Sequence, residues 1–338
     1  MAVVNAGSDV QSVVRLTEMA DYVVPFALRA ACEIGVADFL EEGPRSVADL
    51  AELTSTHPPS LLRLLRALAC RGVFSEVEPE VFALTSLGKP LCTGHPRSLR
   101  AAYPLLAADI QAWAMFEHSL RTGEAAFDRA HGTDYWSHMA NNPADSARFD
   151  ASQKAVTGRE VKALLPAYEW GGFATIVDVG GGNGAFLSAV LTEFPSVRGV
   201  LFDQPHVIAA AGPVLADRGI ADRCSVVGGD FTSTVPAGGD AYVVKRALYD
   251  LDDEGAIALL RAVRTAIGAQ GRLLVIEPVA EPGDEFDWGK LYDLLLLTMR
   301  GGGSRSRVQH EKLFAETGFE LVRIIPTRGL SIIEARPV

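Results

Sequence analysis

Apolar residues recur with a helical period through the first 165 positions and then change to short continuous runs. Two of the helical segments are YVVPFALRAACEIGVADFL and PSLLRLLRALACRGVF. The later runs, which alternate with helical segments, are TIVDV, GVLFD, CSVV, AYVV, RLLVIE, ELVRII and LSIIEA. Runs that are apolar on both faces are typical of a parallel sheet covered by helices on each side. The pattern therefore predicts a helical N-terminal part and an α/β core.

The connection between the last two strands sets the direction of the final one. Only PTRG separates ELVRII from LSIIEA, whereas a parallel crossover needs about a dozen residues. The final strand must therefore run antiparallel. A seven-stranded, mostly parallel sheet with a reversed last strand is similar to that of the class I S-adenosylmethionine (SAM) methyltransferases. It disfavours a dinucleotide-binding dehydrogenase, whose sheet would normally end in parallel strands.

Ahead of the sheet, SVADLAELTSTHPPSLLRLLRALACRGVFSEVEPEVFALT has the form of a helix, a turn, a second helix and a short hairpin. That is a winged-helix pattern. One interpretation is DNA recognition by Arg63, Arg66 and Arg71 on the second helix. The other is a packing or dimerisation module. Residues 1–100 favour the second, because they carry 12 acids against 9 bases and phosphate binding needs a basic face.

Charge and cysteine usage narrow the function further. A net charge of -11 argues against a nucleic-acid or anionic-membrane binder and suits a neutral or cationic small ligand. The cysteines show no metal-ligand spacing, so we expect buried thiols in a reducing cytoplasm and no metal. They are Cys32, Cys70, Cys92 and Cys224. The N-terminus lacks the features of a secretion signal, and LYDLLLLTM is too short to span a bilayer, so a cytoplasmic location is expected.

The segment IVDVGGGNGAF places four glycines between a strand and a helix that starts near Ala185. Glycine permits the positive φ and the close backbone approach that a ligand needs at such a corner. Gly180, Gly182 and Ala185 would also fit a dinucleotide fingerprint. Asp178 decides between the two, because a carboxylate beside the loop stabilises an ammonium group and repels a pyrophosphate.

Two further acids follow the next two strands. Asp203 lies 21 residues beyond Gly182, where an acid accepts hydrogen bonds from ribose hydroxyls. Asp230, with its neighbour Phe231, suits the edge and face of an adenine. Each acid alone could be a helix cap or a turn residue. Three acids at successive strand ends favour a ligand site, since such sheets bind ligands at the carboxyl ends of their strands.

These segments, together with VVKRALYDLDDEGAIALLRAVRTAI and LFAETGFELVRI, resemble the small-molecule O-methyltransferases of the plant caffeate and bacterial aromatic-polyketide type. The resemblance covers nearly the whole chain. It implies SAM as methyl donor, S-adenosylhomocysteine as product, and a role in antibiotic biosynthesis. It implies that SAM is bound by Thr157, Asp178, Gly180, Gly182, Asp203, Asp230, Phe231 and Lys245.

The resemblance also implies a domain plan. We expect an intertwined homodimer formed by a winged-helix dimerisation domain, and a methyltransferase domain that consists of a helical substrate-lining segment and a Rossmann-like core. The predicted ranges are 1–100 for the dimerisation domain, 101–338 for the methyltransferase domain, 101–165 for its helical segment and 170–338 for its core. The expected partners are a small aromatic substrate and a second copy of the chain, without nucleic acid or membrane.

The catalytic positions depart from the family pattern. Its general base is a histidine where this chain has Tyr249, supported by two acids, of which Glu277 is present and the other is replaced by Ser304. A tyrosine with a pKa of about 10 is protonated at neutral pH and is a poor base. Either the substrate ionises readily, as hydroxyquinones, naphthoates or enolised ketones do, or alignment drives transfer. A third possibility is transfer to carbon, ortho to a phenol hydroxyl that Tyr249 holds. Tyr249 could also be a ring that only packs over the substrate.

Polar residues near Tyr249 in the sequence, and His310, have smaller expected roles. Acids of the stretch YDLDDE are expected mainly to cap the following helix. His310 is expected to be a solvated residue on a helix surface, or else a substitute base. The resemblance implies that the substrate pocket is lined by Trp113, Phe116, Gln153, Tyr292 and Met299.

The sequence predicts a SAM-dependent methyltransferase that acts on a phenolic or enolic hydroxyl of an aromatic secondary metabolite. Tyr249 and Glu277 are its expected catalytic residues. The missing base leaves two alternatives open: a C-methyltransferase on an aromatic or α-keto acid, and a SAM-binding relative that has lost methyl transfer. A DNA-binding regulator that uses the winged helix is a further alternative, disfavoured by the acidic first hundred residues.

Overall fold

The computed structural model describes residues 6–209, 211–327 and 329–338. The described residues form two compact units. The first holds residues up to Leu106 together with Ala147–Ala155, and the second holds Ala107–Ser146 with Val156–Val338. The domain boundary that the sequence places after residue 100 stays a prediction.

The first unit contains the predicted helix, turn, helix and hairpin in that order. Its elements are α1 (Ala6–Ala20), α2 (Val23–Ile34), β1 (Arg45–Ser46), α3 (Val47–Leu53), α4 (Pro58–Ala69), β2 (Phe74–Glu78) and β3 (Val81–Leu84). The strands form a small antiparallel sheet in the order β1-β3-β2. Leu61, Leu65 and Leu68 point one face of α4 into the unit's core, which is the face that the helical period predicts.

Two of the three arginines suggested for DNA contact are held by acids within this unit. Arg66 pairs with Glu76 at 2.7 Å, and Arg71 pairs with Glu18 at 3.1 Å. These pairs favour the packing interpretation.

The cysteine prediction is confirmed for three residues and wrong for one. Cys32, Cys92 and Cys224 are buried, whereas Cys70 is exposed. Cys70 follows the last turn of α4 on the side away from Leu65 and Leu68, so the helical period carries it out of the core.

The second unit begins with helices and continues as an α/β core. Its elements are α5 (Ala107–Ala114), α6 (Phe116–Thr122), α7 (Ala126–His131), α8 (Tyr135–Asn141), α9 (Pro143–Leu164, shared with the first unit), β4 (Thr175–Val179), α10 (Ala185–Glu193), β5 (Arg198–Asp203), α11 (Pro205–Ile208), α12 (Ala211–Asp217), β6 (Cys224–Gly228), β7 (Ala241–Lys245), α13 (Asp253–Ala266), β8 (Arg272–Glu277), α14 (Trp288–Arg300), α15 (Arg307–Glu316), β9 (Phe319–Pro326) and β10 (Ser331–Pro337).

The seven-stranded sheet confirms the predicted topology. Its order is β6-β5-β4-β7-β8-β10-β9. The pairs from β6 to β8 are parallel, and β10 runs antiparallel to both β8 and β9. Two apolar clusters cover the opposite faces of the sheet, which explains why its strands are apolar throughout. The carboxyl ends of β4, β5, β7 and β8 therefore meet at one edge, where the candidate site lies.

Local signals set the helix starts at that edge. Asp252 caps α13 by accepting a hydrogen bond from Gly255 N at 2.8 Å, as expected for an acid of the YDLDDE stretch. Ser306 and Gln309 form a capping box at the start of α15. Among the described residues, no helix combines the length and apolar character needed to cross a bilayer.

Candidate active site

The glycine loop between β4 and α10 requires glycine for two reasons. Gly180, Gly182 and Gly184 adopt φ values of 71°, 61° and 79°, in the left-handed region. Gly181 is needed for space, since a Cβ there would lie 2.7 Å from Oδ2 of Asp178. The backbone therefore passes directly over the Asp178 carboxylate.

Asp178 is a buried carboxylate whose charge is not compensated by a hydrogen bond. Its residue is 1% exposed, and neither carboxylate oxygen has a hydrogen bond of normal geometry among the described residues. Burial raises its pKa to about 7, Lys245 and the Leu187 backbone N–H oppose that rise, and Asp203 adds to it. Buried acids are normally paired, so this one fits a cationic ligand group, as the ammonium group of SAM would be.

The other two strand-end acids are placed differently. Asp203 is buried, and its carboxylate accepts hydrogen bonds from Gly182 N at 2.8 Å and Gln204 N at 2.7 Å. It therefore shapes the glycine loop and lies at the loop's edge. Asp230 is exposed and accepts hydrogen bonds from Thr232, which is the turn role that the sequence left open. The Phe231 ring lies beside Gly180, since a Cβ added at Gly180 would be 3.7 Å from this ring.

Lys245 and Thr157 lie together, and a residue that the sequence did not suggest joins them. Lys245 Nζ is 3.3 Å from Thr157 Oγ1 and 2.6 Å from Glu160 Oε2. Burial favours the neutral form of Glu160, but Lys245 and Arg246 outweigh it and lower its pKa. Glu160 follows Thr157 by three residues on α9, so the helical period could have placed both on one face.

Tyr249 lies in a 3₁₀ turn after β7, and its hydroxyl group and its backbone N–H have different partners. Arg246 Nε donates a hydrogen bond to the Tyr249 hydroxyl oxygen at 2.8 Å, and the Tyr249 backbone N–H donates to Glu277 Oε2 at 3.1 Å. Glu277 thus holds the backbone of Tyr249, and Arg246 holds its side chain. Arg246 was missed, although it follows Lys245 as a second cation at the strand end.

Arg246 connects the turn to a predicted pocket residue. It has a φ of 55°, a conformation that non-glycine residues rarely adopt and that occurs often at functional sites. Its guanidinium carbon lies 5.6 Å from the ring centre of Tyr292 on α14, and its Nη1 is 3.4 Å from Glu160. The predicted residues Tyr249, Tyr292 and Lys245 are therefore brought together around two residues that the sequence did not suggest.

The loop after α14 lies against the Tyr249 turn. Gly303 N donates to the Tyr249 carbonyl at 2.9 Å, and a Cβ at Gly302 would overlap that same carbonyl oxygen. Ser304 is buried, its hydroxyl has no partner among the described residues, and its backbone N–H donates to Asp293 at 2.9 Å. An acid from α14 therefore contacts the backbone at position 304.

Asp250 is not a helix cap. It forms a buried ion pair with Arg300, whose guanidinium lies 4.7 Å and 4.6 Å from the ring centres of Tyr135 and Trp136. Burial raises the pKa of Asp250, and Arg300 opposes that rise. The pair ties the Tyr249 turn to α14 and α8, because opposite charges and aromatic faces hold a guanidinium in place.

The expectation that His310 is a solvated residue on a helix surface is wrong, and its role as a substitute base stays a prediction. The side chain is fully buried, and its Nε2 lies 3.0 Å from Glu277 Oε1. His310 precedes Leu313 and Phe314 by three and four residues, and both of these are core residues. It therefore faces the core from the first turn of α15.

The remaining predicted pocket residues divide between the units. The ring centres of Trp113 and Phe116 are 5.2 Å apart, and α14 contacts α5, α6 and α7. Met299 is buried on α14, whereas Gln153 belongs to the first unit. The substrate roles of these residues stay predictions.

One group of described residues has the donor atoms for a metal. Asp38, Glu41 and Cys92 bring an oxygen or sulfur atom each within 4.8 Å of one another. Arg100 already pairs with Asp38, and burial raises the pKa of Cys92 to about 11, which keeps its thiol protonated. This chemistry suits an ion pair better than a metal ligand set.

The fold and this edge of the sheet define the class of protein. Residues 113–320 match the model of the O-methyltransferase domain, and residues 16–94 match the O-methyltransferase dimerisation domain. The chain belongs to the O-methyltransferase family, a family of SAM-dependent enzymes. The predicted family and enzyme class are thereby confirmed.

Particular relatives cover almost the whole chain. Phenazine O-methyltransferase PhzM of Lysobacter antibioticus is 41% identical over 335 residues, 98% of each chain. The crystal structure of LaPhzM has a TM-score of 0.91 and 41% identity, and covers 97% of this chain and 99% of its own. An O-methyltransferase of neocarzinostatin biosynthesis, solved with SAM and 2-hydroxy-5-methylnaphthoic acid, has a TM-score of 0.82 and 33% identity, with 95% and 98% covered.

Proposed function

We propose that this enzyme methylates an ionisable hydroxyl group of an aromatic natural product, with SAM as the methyl donor. The observation that carries the proposal is the unpartnered buried carboxylate of Asp178 beneath the glycine loop of a methyltransferase fold. The substrate class is supported by a relative named 2,7-dihydroxy-5-methyl-1-naphthoate 7-O-methyltransferase and by the neocarzinostatin-biosynthesis enzyme solved with 2-hydroxy-5-methylnaphthoic acid.

The proposed SAM site uses the residues that the sequence suggested. Asp178 would bind the ammonium group, the backbone at Gly180 and Gly182 would contact the amino acid portion, and Asp203 would accept from the ribose. Phe231, Asp230, Lys245 and Thr157 complete the set. Bound SAM supplies an electrophilic methyl group.

Tyr249 is proposed to donate a hydrogen bond to the substrate rather than to remove its proton. Burial raises the pKa of Tyr249, and Arg246 opposes that rise without reversing it, so the hydroxyl keeps its proton at neutral pH. Arg246 already donates to the hydroxyl oxygen, so the Tyr249 proton points toward another acceptor. An oxygen that has already lost its proton, as in a hydroxyquinone, suits that donor.

Alignment supplies the rest of the rate in this proposal. Turn 248–250 is fixed by Glu277, Gly303 and the pair of Asp250 with Arg300. Holding two reactants in line can contribute roughly 7–11 kcal/mol to lowering the barrier. Glu277 contributes by holding the turn, because both of its oxygens are engaged and the side chain is fully buried.

The first unit is proposed to form the homodimer. Large apolar side chains on α1 are exposed within the unit, and they are Val10, Val13, Val14, Leu16 and Met19. Exposed apolar patches of this kind mark association surfaces, and this region overlaps the match to the dimerisation domain at residues 16–94.

The proposal is tested with purified protein, SAM and a hydroxynaphthoic acid as a probe substrate. We expect calorimetry to show binding of SAM and S-adenosylhomocysteine, and we expect one S-adenosylhomocysteine per product that carries an oxygen-linked methyl group in its carbon NMR spectrum. A carbon-linked methyl would support the C-methyltransferase alternative, and binding of SAM without transfer to any hydroxylated aromatic probe would support a relative that has lost the reaction. No binding of either nucleoside would overturn the cofactor assignment.

Replacing Tyr249 by Phe tests the donor role. We expect SAM affinity to stay nearly unchanged and kcat to fall by less than the roughly 10²–10⁴-fold attributed to a general base, since only one hydrogen bond is lost. The measurement is steady-state kinetics over pH 6 to 9 on the probe substrate. A fall of roughly 10²-fold or more, within the range attributed to a general base, would contradict the donor role and indicate that Tyr249 takes the proton.

A further inference from the structure

His310 and Glu277 form a buried pair beneath the turn that carries Tyr249. Both residues are 0% exposed, and His310 Nε2 lies 3.0 Å from Glu277 Oε1. The second oxygen of Glu277 accepts from the Tyr249 backbone N–H, and the second nitrogen of His310, Nδ1, lies 3.0 Å from the Ser306 carbonyl oxygen. The pair therefore connects α15, β8 and the turn.

The positions of the acceptors fix the number of protons in this pair. A backbone carbonyl only accepts, so Nδ1 of His310 carries a proton. Nε2 faces a carboxylate oxygen, and a hydrogen bond there needs one more proton, on Nε2 or on Oε1. In either location the pair has no net charge, which is the state that burial favours.

Other charged groups near the pair have partners of their own. Asp250, whose pKa Glu277 raises slightly, pairs with Arg300. Arg305, on the loop before α15, donates to the Leu248 carbonyl at 3.2 Å and pairs with Asp253 at 2.9 Å. His310 is thus the group that directly compensates Glu277 among the described contacts.

We propose that His310 is a positioning residue, which shares a proton with Glu277 so that this buried carboxyl group can hold the Tyr249 backbone without carrying an uncompensated charge. The activity part of this inference rests on the proposed function, in which turn 248–250 positions the substrate. The charge part does not, because it concerns the stability of the protein alone.

Four proteins test the proposal: wild type, His310→Phe, Glu277→Gln and the double variant. In H310F the Glu277 carboxyl group loses the partner that shares its proton. Its charge is then buried without compensation. We expect the Tm of H310F to fall below that of wild type, and the double variant to be more stable than H310F because an amide carries no charge.

Turnover supplies the second readout. We expect H310F to lower kcat by about tenfold or more with little change in the KM for SAM, because a displaced turn misaligns the substrate. E277Q should lower kcat less than H310F does, since an amide oxygen still accepts from Tyr249 N–H and the amide N–H donates to a neutral His310. If H310F does not fold, His310→Gln is used instead. Its amide group can still donate a hydrogen bond to Glu277, so H310Q should retain more activity than a variant without a donor.

A matched control is His118→Phe. His118 also faces a glutamate, Glu124, at 3.4 Å, but the Glu124 side chain is 77% exposed, so its charge is solvated and the variant should change Tm little. The proposal is overturned if H310F is as stable as wild type, or if the added E277Q change does not raise the Tm of H310F. Failure of methyl transfer alone would leave both stability results intact and would count against the proposed function instead.

Discussion

Replacing Asp178 by Asn should abolish most of the affinity for SAM and should leave the ligand-free protein as stable as wild type or more stable. The carboxylate is buried without a hydrogen bond of normal geometry, and its pKa is raised to about 7 by burial. Losing one partner of a buried ion pair costs about 3–5 kcal/mol, so we expect affinity to fall at least about 100-fold, with tenfold for every 1.4 kcal/mol. Calorimetric titration with SAM measures the loss.

The sign of the stability change follows from the same pKa. A carboxyl group whose folded pKa lies above its ordinary value of 3.8 destabilises the folded state once the pH exceeds that ordinary value. Asn has the same shape and no charge, so D178N should show an equal or higher Tm at pH 8 without ligand. Asp217→Asn, at an exposed position at the end of α12, is the control and should change neither quantity.

The pH dependence of binding provides an internal check on this result. SAM affinity of the wild type should rise as the pH increases from 6 through 7, because the ammonium group needs the ionised form of Asp178. The rise should end near pH 8, where an α-amino group loses its proton at about 7.7–8.0. An affinity that is flat over this range, or a D178N protein that binds as tightly as wild type, would show that the ammonium group is bound elsewhere.

The fold was predictable because the decisive signals are local. Each strand of the seven-stranded sheet has five to eight residues and contains an apolar run, and the hairpin between β9 and β10 has too few residues for a crossover. The glycine loop was equally visible, since Gly180, Gly182 and Gly184 follow a strand directly and must adopt positive φ. Those features depend on near neighbours in the chain, which a sequence displays.

The partners of the buried charges were not predictable in the same way. Glu160 meets Lys245 and Arg246 across more than 80 residues, and no spacing rule connects them. Burial then sets the roles: Asp250 looks like a capping residue in the sequence, but α14 brings Arg300 against it. The long-range geometry of packing decides which charges meet.

His310 shows where a local signal was present and not used. It precedes two apolar residues by three and four positions, and this spacing puts all three on one face of α15. A histidine on an apolar helix face is buried with the face, and it then needs a polar partner. For His310 that partner is Glu277, which it reaches from α15.

Replacing Gly302 by Ala should reduce turnover about 100-fold while SAM affinity stays close to that of wild type, because a displaced turn misaligns the reacting groups. The added Cβ would overlap the Tyr249 carbonyl oxygen and would lie 2.9 Å from the Asp250 carbonyl carbon. Both contacts are backbone, so the 3₁₀ turn itself must move. Overpacking of this kind also lowers stability, typically by about 1–3 kcal/mol.

Gly268→Ala is the matched control, since a Cβ at this exposed position after α13 meets nothing within 4 Å. Kinetics and SAM calorimetry are measured on both variants. Calorimetry reports on the glycine loop after β4, and kcat reports on the Tyr249 turn after β7, so the two effects can be separated. A G302A enzyme with weakened SAM binding and unchanged kcat would place the cofactor, not the acceptor, against this turn. Wild-type values for both quantities would mean that transfer does not depend on where Tyr249 is held.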